Sequence, residues 1–233
     1  MATGSATCAR GPGSTGTRIV PSASIRHRKS PLWQRPRGKR SRPVHEAIRQ
    51  SLEESGRLLQ TLAPSLAPQI ERAALLILEA FRQQRKLLIM GNGGSAADAQ
   101  HLAAELVGRF SRRERRALPA LALTTDTSVL TSVGNDFGFE SIFQQQIEAL
   151  AQEGDVVLAI STSGLSENIL RGLEMAQAKG ARTLALLGRD GGKVKGLVEL
   201  AIIVPSPETP RIQEVHLAIE HVLCQEIEKH FSA

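Results

Sequence analysis

Five short apolar runs, separated by stretches of helical periodicity, constrain this chain more than any other feature. Residues 86–90, 120–124, 155–160, 182–187 and 200–204 are nearly continuous in Leu, Ile, Val and Ala. That is the pattern of strands buried on both faces of a parallel sheet, not of half-exposed hairpin strands. Between most of them the apolar residues recur at helical spacing, over 96–107, 140–152 and 166–179, and a last helix over 211–231 closes the chain. The alternation predicts an α/β fold, a doubly wound five-stranded parallel sheet flanked by helices. Two more helical patterns, 44–62 and 68–84, precede the first strand. They are expected to pair as an N-terminal helical hairpin whose open side suits a subunit contact.

The formal charge of +6 resembles that of a nucleic-acid binder, but its distribution argues otherwise. Ten of the 29 Lys and Arg fall in residues 1–45, which hold no Asp or Glu. The remainder of the chain has 19 basic against 23 acidic groups, a net of −4. Residues 1–43, rich in Pro, Gly, Ser and Arg, read as a disordered basic tail, and 44–233 as one domain. The tail is consistent with an over-extended start (the helical pattern begins at Val44), a targeting segment, or, last, a nucleic-acid arm. Only Cys8 and Cys224 are present, so no disulfide framework is implied. No apolar run reaches the ~18 residues of a membrane span. The expectation is a cytoplasmic protein with neither membrane nor nucleic acid as partner.

The first strand runs into Gly91-Asn92-Gly93-Gly94-Ser95 and then a helix. Glycines let a ligand approach the backbone, and a helix start offers free N–H groups to an anion. The plainer reading is a tight turn with Ser95 as the helix cap. A dinucleotide fingerprint is disfavoured, because the next strand lacks the acidic residue that would bind a ribose. His101 and Glu105, four apart, share a helix face. They can hold a metal, divide acid and base roles, or simply form a surface pair.

Ser161-Thr162-Ser163-Gly164 follows the third strand, and Ser166 opens a helix. Four hydroxyls with a helix N-terminus make a phosphate nest, where a mere cap needs only one. Asn135 and Asp136 lie in a glycine-flanked turn expected to precede a helix, as caps or as sugar contacts. In the last helix Gln213, His216, Glu220 and His221 stand close. Gln213 and His221 can share a broad face, and one of the two histidines is expected on a solvated face. The run from Ser111 to Arg116 reads as an exposed charged loop, with Arg109 a weaker candidate for an anion contact.

Taken together, the segments GNGGSAADAQHLAAELVGRF, SVGNDFGF, EGDVVLAISTSGLSENIL, LLGRDGGK and PRIQEVHLAIEHVL resemble the sugar isomerase (SIS) family, within it the branch that isomerises phosphoheptoses. The resemblance covers about residues 44–233. It implies an aldose–ketose isomerase that converts sedoheptulose 7-phosphate to D-glycero-D-manno-heptose 7-phosphate through an enediol, for activated heptose of lipopolysaccharide, capsule or glycoprotein. It implies substrate contacts at Asn92, Gly93, Gly94, Glu105, Asn135, Asp136, Ser161, Thr162, Ser163, Ser166 and Gln213, and catalysis by Glu105 and His221. It also implies one zinc per subunit on His101, Glu105, Gln213 and His221, and a homotetramer. Non-catalytic relatives that bind a replication initiator or sense phosphosugars are the alternative. The joint presence of Glu105 and His221 argues against them.

Overall fold

A computed structural model describes residues 43–112 and 114–231, so the expectations for the basic tail lie outside the described residues. In chain order the elements are α1 (Val44–Arg82), β1 (Leu87–Gly91), α2 (Gly94–Val107), β2 (Ala120–Ala122), α3 (Thr127–Asp136), α4 (Ile142–Leu150), β3 (Val156–Ser161), α5 (Glu167–Ala178), β4 (Arg182–Gly188), β5 (Leu200–Val204) and α6 (Thr209–Lys229). The five strands form one sheet in the order β2-β1-β3-β4-β5, every pair parallel. No helix among the described residues is long and apolar enough to cross a membrane.

Successive strand residues feed two cores. Leu87, Ile89, Leu158, Ile160, Leu186 and Ile202 face α1, α2 and α6. Leu88, Met90, Val157, Ala159, Ala185 and Leu187 face α4 and α5. Burial on both faces accounts for the unbroken apolar runs. At the opposite end from the strands' carboxyl termini, buried Asp155 ties β1 to β3. It accepts from the Lys86 N–H at 3.0 Å, the Lys86 ammonium at 2.6 Å and the Gln152 N–H at 2.8 Å.

Two expectations are corrected. The N-terminal hairpin is instead one 39-residue helix that carries Pro64 and Pro68 inside it. Each proline removes one backbone bond at a cost of about 3 kcal/mol in a helix interior, but its φ is helical. Burial of Leu66, Ile70, Ala73, Ile77, Leu78 and Phe81 along one side offsets that loss. Helix α3 was not expected. Its signal lay in Asp126, whose carboxylate caps the helix by accepting from the Val129 N–H at 3.0 Å, ahead of Val129, Leu130 and Val133. Asn135 and Asp136 therefore close α3 instead of lying in a turn, and α4 follows them as expected.

Candidate active site

With β1 beside β2 on one side and β3 on the other, the chain winds in opposite directions from the β1/β3 boundary. Such a switch point opens a crevice beyond the strands' carboxyl ends. The glycine turn leaves β1 here and the serine loop leaves β3. Asn92 and Asn168 join the two, each side-chain amide donating to the other's carbonyl oxygen at 2.9 Å.

The glycine turn is narrower than the sequence suggests. The N-cap of α2 is Gly93, at φ 57° and ψ −120° with no side-chain cap, so Ser95 is not the cap. Ser95 is buried inside the first turn instead, its N–H donating to the Asn92 carbonyl at 3.0 Å. At Gly94 a Cβ would stand 2.2 Å from Nε2 of Gln213. The amide of α6 thus rests directly on the exposed start of α2, where unpaired N–H groups favour an oxyanion.

Two and three turns into α2, His101 and Glu105 are half-buried, their Nε2 and Oε1 3.9 Å apart. From α6, His221 brings its Nε2 to 3.0 Å from Nε2 of His101, one ring donating and the other accepting. The rings meet edge to face at 5.1 Å, and the Phe110 ring packs 5.7 Å from that of His221. Two Zn–N bonds of about 2.05 Å at a tetrahedral angle would set the nitrogens roughly 3.3 Å apart, close to this spacing. The donor types suit zinc, with Glu105 and Gln213 adding oxygens. Among the described residues, however, no group of three or more His, Cys, Asp or Glu is gathered tightly enough to hold a metal. A four-ligand site needs Glu105, 3.9 Å from His101, to close in, with Gln213 as the fourth donor.

In the serine loop, Ser161 is buried and accepts from the Gly164 N–H at 3.0 Å, while Ser163 accepts from the Leu165 N–H at 3.3 Å. These hydroxyls shape the loop and retain their own protons for a ligand. Ser166 occupies the N-cap of α5 without making a side-chain capping bond, and Thr162 is half-buried. The loop interlocks with residues 188–193. A Cβ on Gly164 (φ 62°) would meet the Gly191 carbonyl oxygen at 2.1 Å, and one on Gly192 (φ 54°) the Gly164 and Ser163 oxygens at 2.5 Å. Asn135 and Asp136 are exposed and bond to each other at 2.7 Å, not to either loop.

The sequence reading missed several residues around this centre. His216 is not solvated. It is fully buried, Nε2 lies 3.1 Å from the Leu187 carbonyl, and burial lowers its pKa to about 4. Glu220 is also fully buried with neither oxygen paired, and desolvation, then the Asp98 charge, raises its pKa to about 8. Desolvation raises Asp98 as well, against the pull of His101. Arg115, placed by the sequence in an exposed loop, is buried and paired to Glu228. Helical spacing offered a clue to Glu228, seven positions after His221 on nearly the same face. No local pattern marks Asn168.

A family profile described as SIS domain matches residues 51–188. A phosphoheptose isomerase from a Nitratiruptor species is 53% identical over 186 residues, covering 80% of this chain and 99% of that protein. The solved phosphoheptose isomerase GmhA from Neisseria gonorrhoeae aligns at TM-score 0.75 and 41% identity, over 80% of this chain and 100% of its own. A solved phosphoheptose isomerase from Francisella tularensis aligns at TM-score 0.78 and 37% identity, over 81% and 100%.

Proposed function

The chain belongs to the phosphoheptose isomerase family of SIS-domain proteins, and from that membership we propose how its own residues interconvert sedoheptulose 7-phosphate and D-glycero-D-manno-heptose 7-phosphate. It is a phosphosugar isomerase. The observation that carries the residue assignment is the convergence of His101 and Glu105 on α2 with His221 on α6, beside the switch-point crevice.

The phosphate is received by the hydroxyls of Thr162, Ser163 and Ser166 and the N-terminus of α5. Anchoring there sets the reacting carbons toward Glu105, with Asn92, Gln213 and the Gly93 and Gly94 amides taking sugar oxygens. Glu105 removes the proton from C1 of the ketose as His221 supplies one to the carbonyl oxygen at C2, giving an enediol. The C1 hydroxyl then returns its proton, and Glu105 delivers the carbon-bound proton to C2, leaving an aldehyde at C1 and no net change in composition. Asn135 and Asp136 are assigned to outer sugar hydroxyls.

Zinc would be held by His101, Glu105, Gln213 and His221 and would supply a Lewis acid that polarises sugar oxygens; because a cation weakens a ligated base, Glu105 and His221 would move protons only when off the metal. A homotetramer is supported by the apolar groove between α1 and α6, lined by Leu59, Leu66, Leu75, Val215 and Val222, with Leu75 54% exposed. A monodisperse monomer in light scattering contradicts it. The cytoplasm is the assigned compartment, because a charged phosphosugar does not partition into a bilayer unaided.

The test is an assay of the purified full chain with sedoheptulose 7-phosphate, before and after chelation and with zinc restored. Heptose phosphate is expected. Its absence under all three conditions overturns the reading.

A further inference from the structure

We propose that Glu228 is a positioning residue for the isomerisation: its carboxylate clamps the segment that follows α2, which seats Phe110 against His221 and holds Arg115 under the backbone of Glu105.

Glu228 is 3% exposed, two turns beyond His221 on α6. Its Oε1 accepts from the N–H of Phe110 at 3.3 Å, Ser111 at 3.2 Å and Arg112 at 3.1 Å, and from Nε of Arg115 at 3.4 Å. Its Oε2 accepts from the Ser111 N–H at 3.0 Å and from the Ser111 hydroxyl. Burial alone would raise this carboxyl, but Ser111 and the three backbone N–H groups outweigh it and hold the pKa near 2. Charge-assisted bonds of this kind are about twice as strong as neutral ones.

Arg115, itself 6% exposed, carries the clamp across to α2. Its Nη1 donates to the Leu106 carbonyl at 2.8 Å, and its Nη2 to the Glu105 carbonyl at 2.8 Å and the Gly108 carbonyl at 3.4 Å. These are last-turn carbonyls that α2 cannot satisfy itself, and the cation also complements the negative end of the helix dipole. On the other side of the clamp, the Phe110 ring lies 5.7 Å from the His221 ring at 39°. One carboxylate therefore fixes both the α2 end that carries Glu105 and the wall against which His221 stands. The enzyme gains a set distance between two proton-transfer groups on separate helices, where small misplacements are costly.

The inference rests on the isomerase reading of Glu105 and His221, and two kinds of readout separate it from that reading. In the full chain, Glu228→Gln is expected to lower kcat roughly ten- to hundredfold, while KM and inhibition by inorganic phosphate stay within about twofold. Phe110→Leu, which leaves the clamp intact, is expected to show the same split with a smaller loss. Glu226→Gln removes only an exposed pairing to Lys229 and is expected to leave kcat unchanged. Independently of turnover, the His221 ring-proton resonances, identified by their loss in His221→Gln, carry the ring current of Phe110. They are expected to move in both Glu228→Gln and Phe110→Leu. Wild-type kcat in Glu228→Gln, or an unmoved His221 resonance in it, overturns the proposal. If Glu228→Gln loses its helical circular dichroism, Phe110→Leu decides: wild-type kcat and an unmoved His221 resonance there overturn the proposal. A wild-type chain inactive on every heptose phosphate refutes the isomerase reading, and the resonance arm still judges the clamp.

Discussion

Asn92 and Asn168, 76 positions apart in the chain, hold each other by two side-chain hydrogen bonds of 2.9 Å, one in each direction. The pair crosses the crevice between the loops after β1 and β3. It leaves Asn92 one N–H and one lone pair with which to meet a sugar oxygen. Asn168→Ala frees the Asn92 amide to rotate and leaves it unpaired in a half-buried site. The expected result is a KM for sedoheptulose 7-phosphate raised roughly five- to twentyfold, a loss of about 1–2 kcal/mol, with kcat changed less. Initial-rate kinetics check this, and an unchanged KM would remove Asn168 from the site.

Glu105→Gln keeps the shape of the side chain and removes its basicity. Turnover is expected to fall by roughly 10²–10⁴ with a modest change in KM, the range set by losing one general base. Wild-type turnover would sink the assignment of the base.

The facing Nε2 atoms of His101 and His221 give the zinc proposal a direct check. The purified full chain is expected to contain about one zinc per subunit by plasma emission. His101→Ala is expected to lose most of it, and chelation to lower activity until zinc is restored. Full activity in verified metal-free protein rules out a required metal.

Glu220 makes stability fall with pH. Its folded pKa, near 8, lies above the ordinary 4.5, so between those values the native state holds a proton that the unfolded chain has released. Stability is therefore lost as pH rises from 4.5 toward 8. Glu220→Gln mimics the neutral acid and is expected to stabilise the protein by about 2 kcal/mol or more near about pH 8.5, at roughly 1.4 kcal/mol per pKa unit. Below about pH 4.5 the two proteins are expected to melt alike. Thermal unfolding at several pH values measures this, and parallel curves would show that the carboxyl titrates normally.

Gly192→Ala forces a Cβ against the Ser163 and Gly164 carbonyls at a positive φ. The serine loop must shift, so the expected effect is on phosphate recognition: KM raised roughly tenfold or more, with inorganic phosphate inhibiting proportionately less. Equal inhibition by phosphate in both proteins would place the phosphate elsewhere.

The sheet was legible because its central strands β1, β3 and β4 are buried on both sides, and burial of that kind leaves unbroken runs such as Val156 to Ile160. The ends of elements were less legible. Gly93 caps α2 through its backbone geometry, which no side chain announces, and α1 runs through two prolines because tertiary burial outweighs local propensity. Within the site, His101 and Glu105 could be paired from helical spacing alone. Their meeting with His221, 120 positions away, depends on how α6 packs and entered the sequence reading only through family resemblance. Arg115 looked like one more charge in a basic run, because its partner Glu228 comes more than a hundred residues later.

Helix α6 has a consequence for how the protein is made. Synthesis proceeds from the N-terminus, so α2 and all five strands emerge before Gln213, His221 and Glu228 exist. A nascent chain can assemble its sheet, yet it has no second proton-transfer group until its final helix is released. In that interval the face of the sheet formed by Leu186, Ile202 and their neighbours lacks part of its cover. Exposed apolar surface of this kind favours aggregation. Ribosome stalling or C-terminal truncation before His221 therefore leaves a species that is both unable to isomerise sugar and adhesive.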